Sequence, residues 1–245
     1  KPETPETGLP LLSSILKIAR DRFIDGYVLY VNSDIILLSD FTRTVELLEK
    51  NFEKGFFLVG QRTNLDVDNP IDFSKPEVED ELRKMSLVNG KRAGITAMDY
   101  FMFPVNSFKN IPPLRIGRAA FDNILLYWAK KHERLAVVDG TENILAIHQN
   151  HDYGHLPGGK REVFFGKDAD ENLKMVGMKE KMFRMSECNY KINNGIITRN
   201  HEWKYYLSKR YLLEVLPALF PILYPLVIVR KRTVVIKNEL INTKK

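Results

Sequence analysis

The chain has 245 residues, of which 44% are hydrophobic and 28% charged. Those proportions belong to a globular protein and exclude collagen-like, low-complexity and disordered classes. A single cysteine, Cys188, excludes an internal disulfide framework and a cysteine-rich zinc module. The net charge of +6 is concentrated at one end. Between Arg230 and Lys245 six cations face Glu239 alone, a net +5, which leaves +1 for the rest of the chain. A near-neutral body with a basic tail lacks the basic face that nucleic acid requires, so no nucleic-acid partner is expected.

In chain order, Lys1 to Pro10 is a Pro/Thr/Glu loop, and Leu11 to Phe23 has the 3.6-residue period of an amphipathic helix. Gly26 to Val31 predicts a buried strand, ended by Asn32-Ser33-Asp34. A second helix is expected over about Phe41 to Lys50, and a buried strand over Gly55 to Gly60. This alternation predicts an α/β domain with a largely parallel sheet. Pro76 to Met85 can form a charged helix, Asp99 to Pro104 a strand, and Ala119 to Lys131 a strong helix. Leu135 to Asp139 and Glu142 to His148 read as strands, followed by a polar loop to Gly159. The expected domain limits are 1–165 for the body, 166–211 for an extension and 212–245 for the tail.

Leu212 to Val229 holds one charge, Glu214, and is just long enough for a bilayer span. Pro217, Pro221 and Pro225 each delete a helical hydrogen bond, which argues against an ordinary span. Two readings stay open. Residues 212–232 could lie on an anionic membrane surface, gripped by Arg230-Lys231-Arg232, or form a proline-broken arm packed on protein. The expected location is cytoplasmic, with a peripheral membrane hold under the first reading.

Three places could carry chemistry. Asn32-Ser33-Asp34 follows a strand, where α/β sheets bind ligands, and offers oxygen donors suited to Mg²⁺ or Mn²⁺. The bland alternative is a pair of turn-capping side chains. Asp122 falls in the first turn of a helix and could take a proton from a hydroxyl, or be an ordinary first-turn acid. His148-Gln149-Asn150-His151-Asp152-Tyr153-Gly154-His155 concentrates three of the five histidines. They could hold zinc, but the chain lacks matching Cys pairs and an H-E-x-x-H helix; one of them joining a carboxylate on a phosphate-bound cation fits better, or the loop could satisfy itself. There is no P-loop, G-x-G-x-x-G or G-x-S-x-G.

The ordered set YVNSDIILLSDF (Tyr30–Phe41), VGQRTNLDV (Val59–Val67), MDYFMFP (Met98–Pro104), IPPLRIGRAAFDN (Ile111–Asn123) and AIHQNHDYGHLPGG (Ala146–Gly159) resembles GT-A-type nucleotide-diphospho-sugar glycosyltransferases. The resemblance covers about Gly8 to Gly159. It implies a Rossmann-like mixed sheet flanked by helices, with a C-terminal helical and apolar extension. It begins after the family's opening strand-helix-strand, so an N-terminally incomplete GT-A domain is expected, lacking the base side of the donor pocket.

The resemblance also implies roles. Asp34, with Asn32 in the place of the family's usual Asp, and His148 would hold a divalent cation, Mn²⁺ or Mg²⁺. Asp122 would be the base of an inverting transfer. Asp99, Arg62, Arg118, Asn123, His151 and Asp152 would contact substrate. Phe121 stands where the family usually has Trp. The expected partners are a nucleotide-diphospho-sugar donor and a glycan or lipid-linked acceptor. Two alternatives remain: a membrane-associated binding or scaffold protein on a decayed transferase fold, and a sugar nucleotidyltransferase.

Overall fold

The computed structural model describes residues 1–151, 159–176, 182–200, 217–219, 221, 222 and 225. Two compact units divide the chain, Lys1–Asn200 and His201–Lys245. The boundary expected at 165/166 therefore falls inside the first unit. In the second, the described residues comprise a 3-10 turn, Pro217–Leu219, and helical positions at 221, 222 and 225. The membrane reading of 212–232 otherwise lies outside the described residues. No described helix is long and apolar enough to cross a membrane.

The first unit is a mixed sheet flanked by helices. Its described elements run α1 (Leu12–Arg22), β1 (Tyr27–Val31), β2 (Ile35–Leu37), α2 (Ser39–Asn51), β3 (Phe56–Leu65), α3 (Val78–Asn89), β4 (Lys91–Arg92), β5 (Met98–Pro104), α4 (Phe121–Lys131), β6 (Ala136–Glu142), β7 (Ala146–Gln149), α5 (Gly159–Phe165), α6 (Lys167–Val176), β8 (Tyr190–Asn193) and β9 (Ile196–Arg199). The main path through the sheet is β1-β5-β3-β6-β8-β9. β3 runs parallel to β6 and β7, and β6 to β8. The β1–β5, β3–β5 and β8–β9 pairs are antiparallel.

The largely parallel sheet read from element alternation is thus corrected. β5 enters between β1 and β3 in the opposite sense, and β1 pairs with β5 alone among the described residues. Consequently β1 is not the fully buried strand its apolar run suggested. Leu29 and Val31 keep more than a third of their surface exposed.

The hydrophobic pattern explains the layering. Successive strand residues point to opposite faces. Phe57 and Val59 of β3, Phe101 and Phe103 of β5 and Val137 of β6 face one way, against Leu12 and Leu16 of α1 and Ile124, Leu125 and Ala129 of α4. Phe56, Leu58, Tyr100 and Val138 face the other way, against Leu48 of α2. A smaller cluster of Leu38, Leu65, Leu82 and Ile147 packs α3 onto the far end of β3.

β3 is longer than its sequence suggested, because Gly60 does not end it. A register shift between Val59 and Gln61 lets the strand change partners. Its first half lies between β5 and β6, and its second half between β4 and β7. That change carries Arg62 and Asn64 out of the core and into the functional cleft.

α6 is pinned to the loop before α4. Fully buried Asn172 accepts from the Arg115 N–H at 2.8 Å and donates to the carbonyls of Arg115 at 2.9 Å and Ala119 at 3.2 Å. Asp168 adds an ion pair to Arg115 at 2.8 Å. Asn172→Ala strands three backbone groups at once. We expect a loss of about 2 kcal/mol, read as a fall in urea midpoint with an unchanged slope.

Candidate active site and metal centre

A cleft of about 1160 Å³ opens at the end of β1. The β1–β2 turn, the second half of β3, the start of β5, the 116–123 segment, His148, His151 and α5 line it. Three carboxylates stand in it, Asp34, Asp99 and Asp122, each in a different environment.

Asp34 lies in the β1–β2 turn. Antiparallel pairing of β2 with β7 sets Ile35 opposite His148, and the Gln149 N–H donates to the Asp34 carbonyl at 3.0 Å. His148 Nε2 is therefore 3.2 Å from Asp34 Oδ2. Beyond β7, Asn150 is fixed by its N–H to the Leu65 carbonyl and by its carboxamide to Asp66. His151 then turns back and brings its Nε2 within 3.1 Å of the same Oδ2. These contacts, that to His148 foremost, hold the Asp34 carboxyl down at about 2 against the opposing effect of burial. Asp34 is thus ionised throughout the neutral range. The three ligand atoms all lie within 4.8 Å of one another.

Asn32 does not join this group among its described contacts. Its N–H continues the β1–β5 ladder to the Asp99 carbonyl at 3.0 Å, and its carboxamide donates to Asp99 Oδ1 at 2.8 Å. Arg62 takes the other carboxylate oxygen at 3.0 Å and also donates to Asn64 Oδ1. Asp99 is buried, and burial pushes its pKa up against the pull of Arg62. Asp99, Asn32 and Arg62 thus form one polar unit that fixes the floor of the cleft. The cluster that could hold a cation instead takes its third member from His151, which was expected to contact substrate.

Asp122 opens α4. The preceding Ala120 has φ +77° and offers no side-chain cap. Asp122 Oδ1 therefore accepts the Asn123 N–H itself, at 2.8 Å. The side chain lines the cleft and keeps some exposure, yet crowding by protein on most sides desolvates it and pushes its pKa up to about 7. The charge of Asp99 adds to that rise. A carboxyl titrating near neutrality can accept a proton at working pH.

The remaining expected residues are distributed as follows. Asn123 is 7% exposed, and its carboxamide donates to the Phe183 carbonyl at 2.6 Å. Arg118 lines the cleft and donates to the Gly117 carbonyl at 3.0 Å. Asp152 lies outside the described residues. Cys188 is fully buried, which pushes its thiol up and leaves it without the exposure a nucleophile needs.

Sequence reasoning missed Tyr30. It lines the cleft, with its ring 5.8 Å from Phe121 and 6.0 Å from Phe101. Burial, then the charges of Asp99, Asp122 and Asp34, raise its pKa to about 12, so it remains a neutral phenol. Strand parity was the signal, since Tyr30 of β1 points to the same side as Asn32 just beyond the strand. Val163 and Phe164 of α5 were also missed, and they give one wall of the cleft an apolar surface.

No family model, curated protein or solved structure matches the chain.

Proposed function

We propose that the chain transfers a sugar from a nucleotide-diphospho-sugar to an acceptor hydroxyl, with inversion at the anomeric carbon. One observation carries the reading. A carboxylate pushed up to about 7 and an Asp/His/His cluster that could hold a cation line the same cleft. The ordered likeness to GT-A-type transferases supports it.

The residues fit a cation. Asp34 Oδ1 is buried without a hydrogen-bond partner, so the cluster has unused polar capacity. Asp34, His148 and His151 would hold the ion, whose charge stabilises a departing diphosphate. Asp122 takes the acceptor proton as the hydroxyl oxygen attacks. Arg62 and Asn32 hold Asp99 in place at the cleft floor, and the neutral Tyr30 offers a hydroxyl donor among three carboxylates. Val163 and Phe164 add an apolar stretch to the lining.

The test is thermal shift with UDP, GDP, CDP and dTDP, each with and without Mn²⁺, on wild type and Asp34→Ala. The expected result is stabilisation by one nucleotide that depends on the metal and disappears in Asp34→Ala. At a nucleotide concentration of about 100 times Kd, the gain is roughly 2.7 kcal/mol. Absence of any nucleotide response would overturn the reading and leave a binding or scaffold role.

A further inference from the structure

The donor atoms at Asp34 say more than that a cation could bind; they say which cations. A chain that binds Mg²⁺ or Ca²⁺ usually offers oxygen, since both are hard ions. Here the described cluster offers one carboxylate and two imidazole nitrogens. The neighbouring oxygen donor, the Asn32 side-chain carbonyl, sits on a carboxamide whose NH₂ is turned onto Asp99. The other nearby carboxylate, Asp99, has both oxygens occupied by Asn32 and Arg62. Imidazole favours first-row transition ions, and affinity for such a set climbs from Mn²⁺ through Co²⁺ to Cu²⁺ before falling back at Zn²⁺.

We infer that Asp34, His148 and His151 form a two-histidine, one-carboxylate site that selects transition-metal ions, Zn²⁺ and Co²⁺ above Mn²⁺, and rejects Mg²⁺. Two of the three separations already suit an ion, and the third, between the histidines and within 4.8 Å, would shorten on binding. Metal–ligand bonds of 2.0–2.2 Å place neighbouring ligand atoms about 3.0–3.4 Å apart. Asp34 Oδ2 lies 3.2 Å from His148 Nε2 and 3.1 Å from His151 Nε2. Three protein ligands leave at least one position for an outside ligand, the pattern of a working site and not of a closed structural one. The site also has the right balance of rigidity and access. His148 is held in β7 between β2 and β3 and is 6% exposed, whereas His151 is exposed on the loop that follows. An ion entering from the cleft would meet His151 at the mouth and His148 at the back.

This inference shares a cleft with the transferase reading but rests on the donor set alone, so each can fail without the other. The experiment uses the untagged full chain, stripped with a chelator and with no nucleotide present. Co²⁺ is titrated and followed by its visible absorption, and Zn²⁺, Mn²⁺ and Mg²⁺ are then tested as competitors. We expect one bound Co²⁺ per chain, displaced by Zn²⁺. Mn²⁺ should compete more weakly, and Mg²⁺ about 1000-fold more weakly than Zn²⁺. Because His151 is exposed, His151→Ala should fold normally by circular dichroism while losing about 100-fold or more in Co²⁺ affinity. His132→Ala serves as the control for adventitious histidine binding, since His132 stacks on Trp128 at 4.0 Å, at the end of α4. It should leave the titration unchanged.

Three outcomes would overturn the proposal: absence of Co²⁺ binding, competition by Mg²⁺ equal to that by Zn²⁺, or full affinity retained in a folded His151→Ala. A nucleotide response in thermal shift alongside any of these would leave the transferase reading standing.

Discussion

Asp122→Asn is expected to lower turnover by about 10²–10⁴-fold while raising the stability of the protein at neutral pH. Few positions give opposite signs for function and stability, and both follow from one environment. The carboxyl is crowded by protein and is pushed up to about 7. In the unfolded chain it titrates near 3.9. Between those values the folded state binds the extra proton, so stability falls as pH rises from about 4 to 7 and is level above. Replacing the carboxyl by a carboxamide removes that loss. Each pKa unit is worth about 1.4 kcal/mol. Partial solvent access at the cleft lowers the total, so a gain of roughly 2 kcal/mol at pH 8 is reasonable. At pH 4 the two proteins should be nearly equal. The Asn side chain keeps an oxygen to accept the Asn123 N–H, so the start of α4 is preserved. Urea unfolding at pH 4, 6 and 8 measures the stability arm without any substrate. Release of nucleoside diphosphate, using the donor class that thermal shift identifies, measures the other. Wild-type turnover should rise with pH through about 7, and the residual rate of Asp122→Asn should lack that rise. Normal turnover in the variant would remove Asp122 as the base.

The parts of this arrangement that could be read from sequence are the local ones. The α1, β1, α2, β5 and α4 segments carry their own period, and their limits moved by only a few residues. Sheet order was not local. Nothing in DYFMFP reveals that β5 runs against β3, because a buried strand is apolar on both faces whichever way it points. The β8–β9 hairpin had a readable signal in Asn194-Gly195, whose φ values of +48° and +74° are those of a tight hairpin turn. The site divided in the same way. Asp34, His148 and Asp122 were legible because each lies at or near an element end. The partners of Asn32 and His151 were not, since they depend on which of two nearby carboxylates each side chain reaches. Residues 32 and 99 meet where the β1–β5 ladder continues, and residue 151 reaches residue 34 from the loop that turns back after β7. Such pairings are fixed by tertiary contacts that no short motif encodes.

Gly60→Ala is expected to be the most damaging single-methyl change in the sheet. Gly60 follows the Val59–Asp139 pair of β3 and β6, and Gly140 follows it on the other strand. The two glycines together leave a slot for the Tyr100 side chain from β5. A methyl group at Gly60 would overlap the Tyr100 hydroxyl and lie 2.8 Å from its Cζ. A methyl at Gly140 would come 3.3 Å from the same hydroxyl and 2.8 Å from Leu58 Cδ1. Tyr100 is fully buried, packed by Phe41 at a ring distance of 6.1 Å, and has no room to retreat. Overpacking of this kind costs typically 1–3 kcal/mol and sometimes more. With backbone on one side and an aromatic ring on the other, we expect about 3 kcal/mol, a fall in Tm of roughly 6–12 °C. The Tyr100 hydroxyl itself has no hydrogen-bond partner. Tyr100→Phe should therefore be close to neutral alone, because the oxygen it removes gains nothing from its burial. In the Gly60→Ala background the same change should recover a large part of the loss, since the worst overlap is with that oxygen. A double-mutant cycle by urea unfolding reads the coupling directly. Strict additivity of the two changes would mean that the slot is not shaped by the hydroxyl, and that β3 accepts the methyl by shifting at the Val59–Gln61 irregularity instead. In that event Arg62 would move with the strand, and nucleotide-dependent stabilisation should fall in Gly60→Ala even where the fold survives.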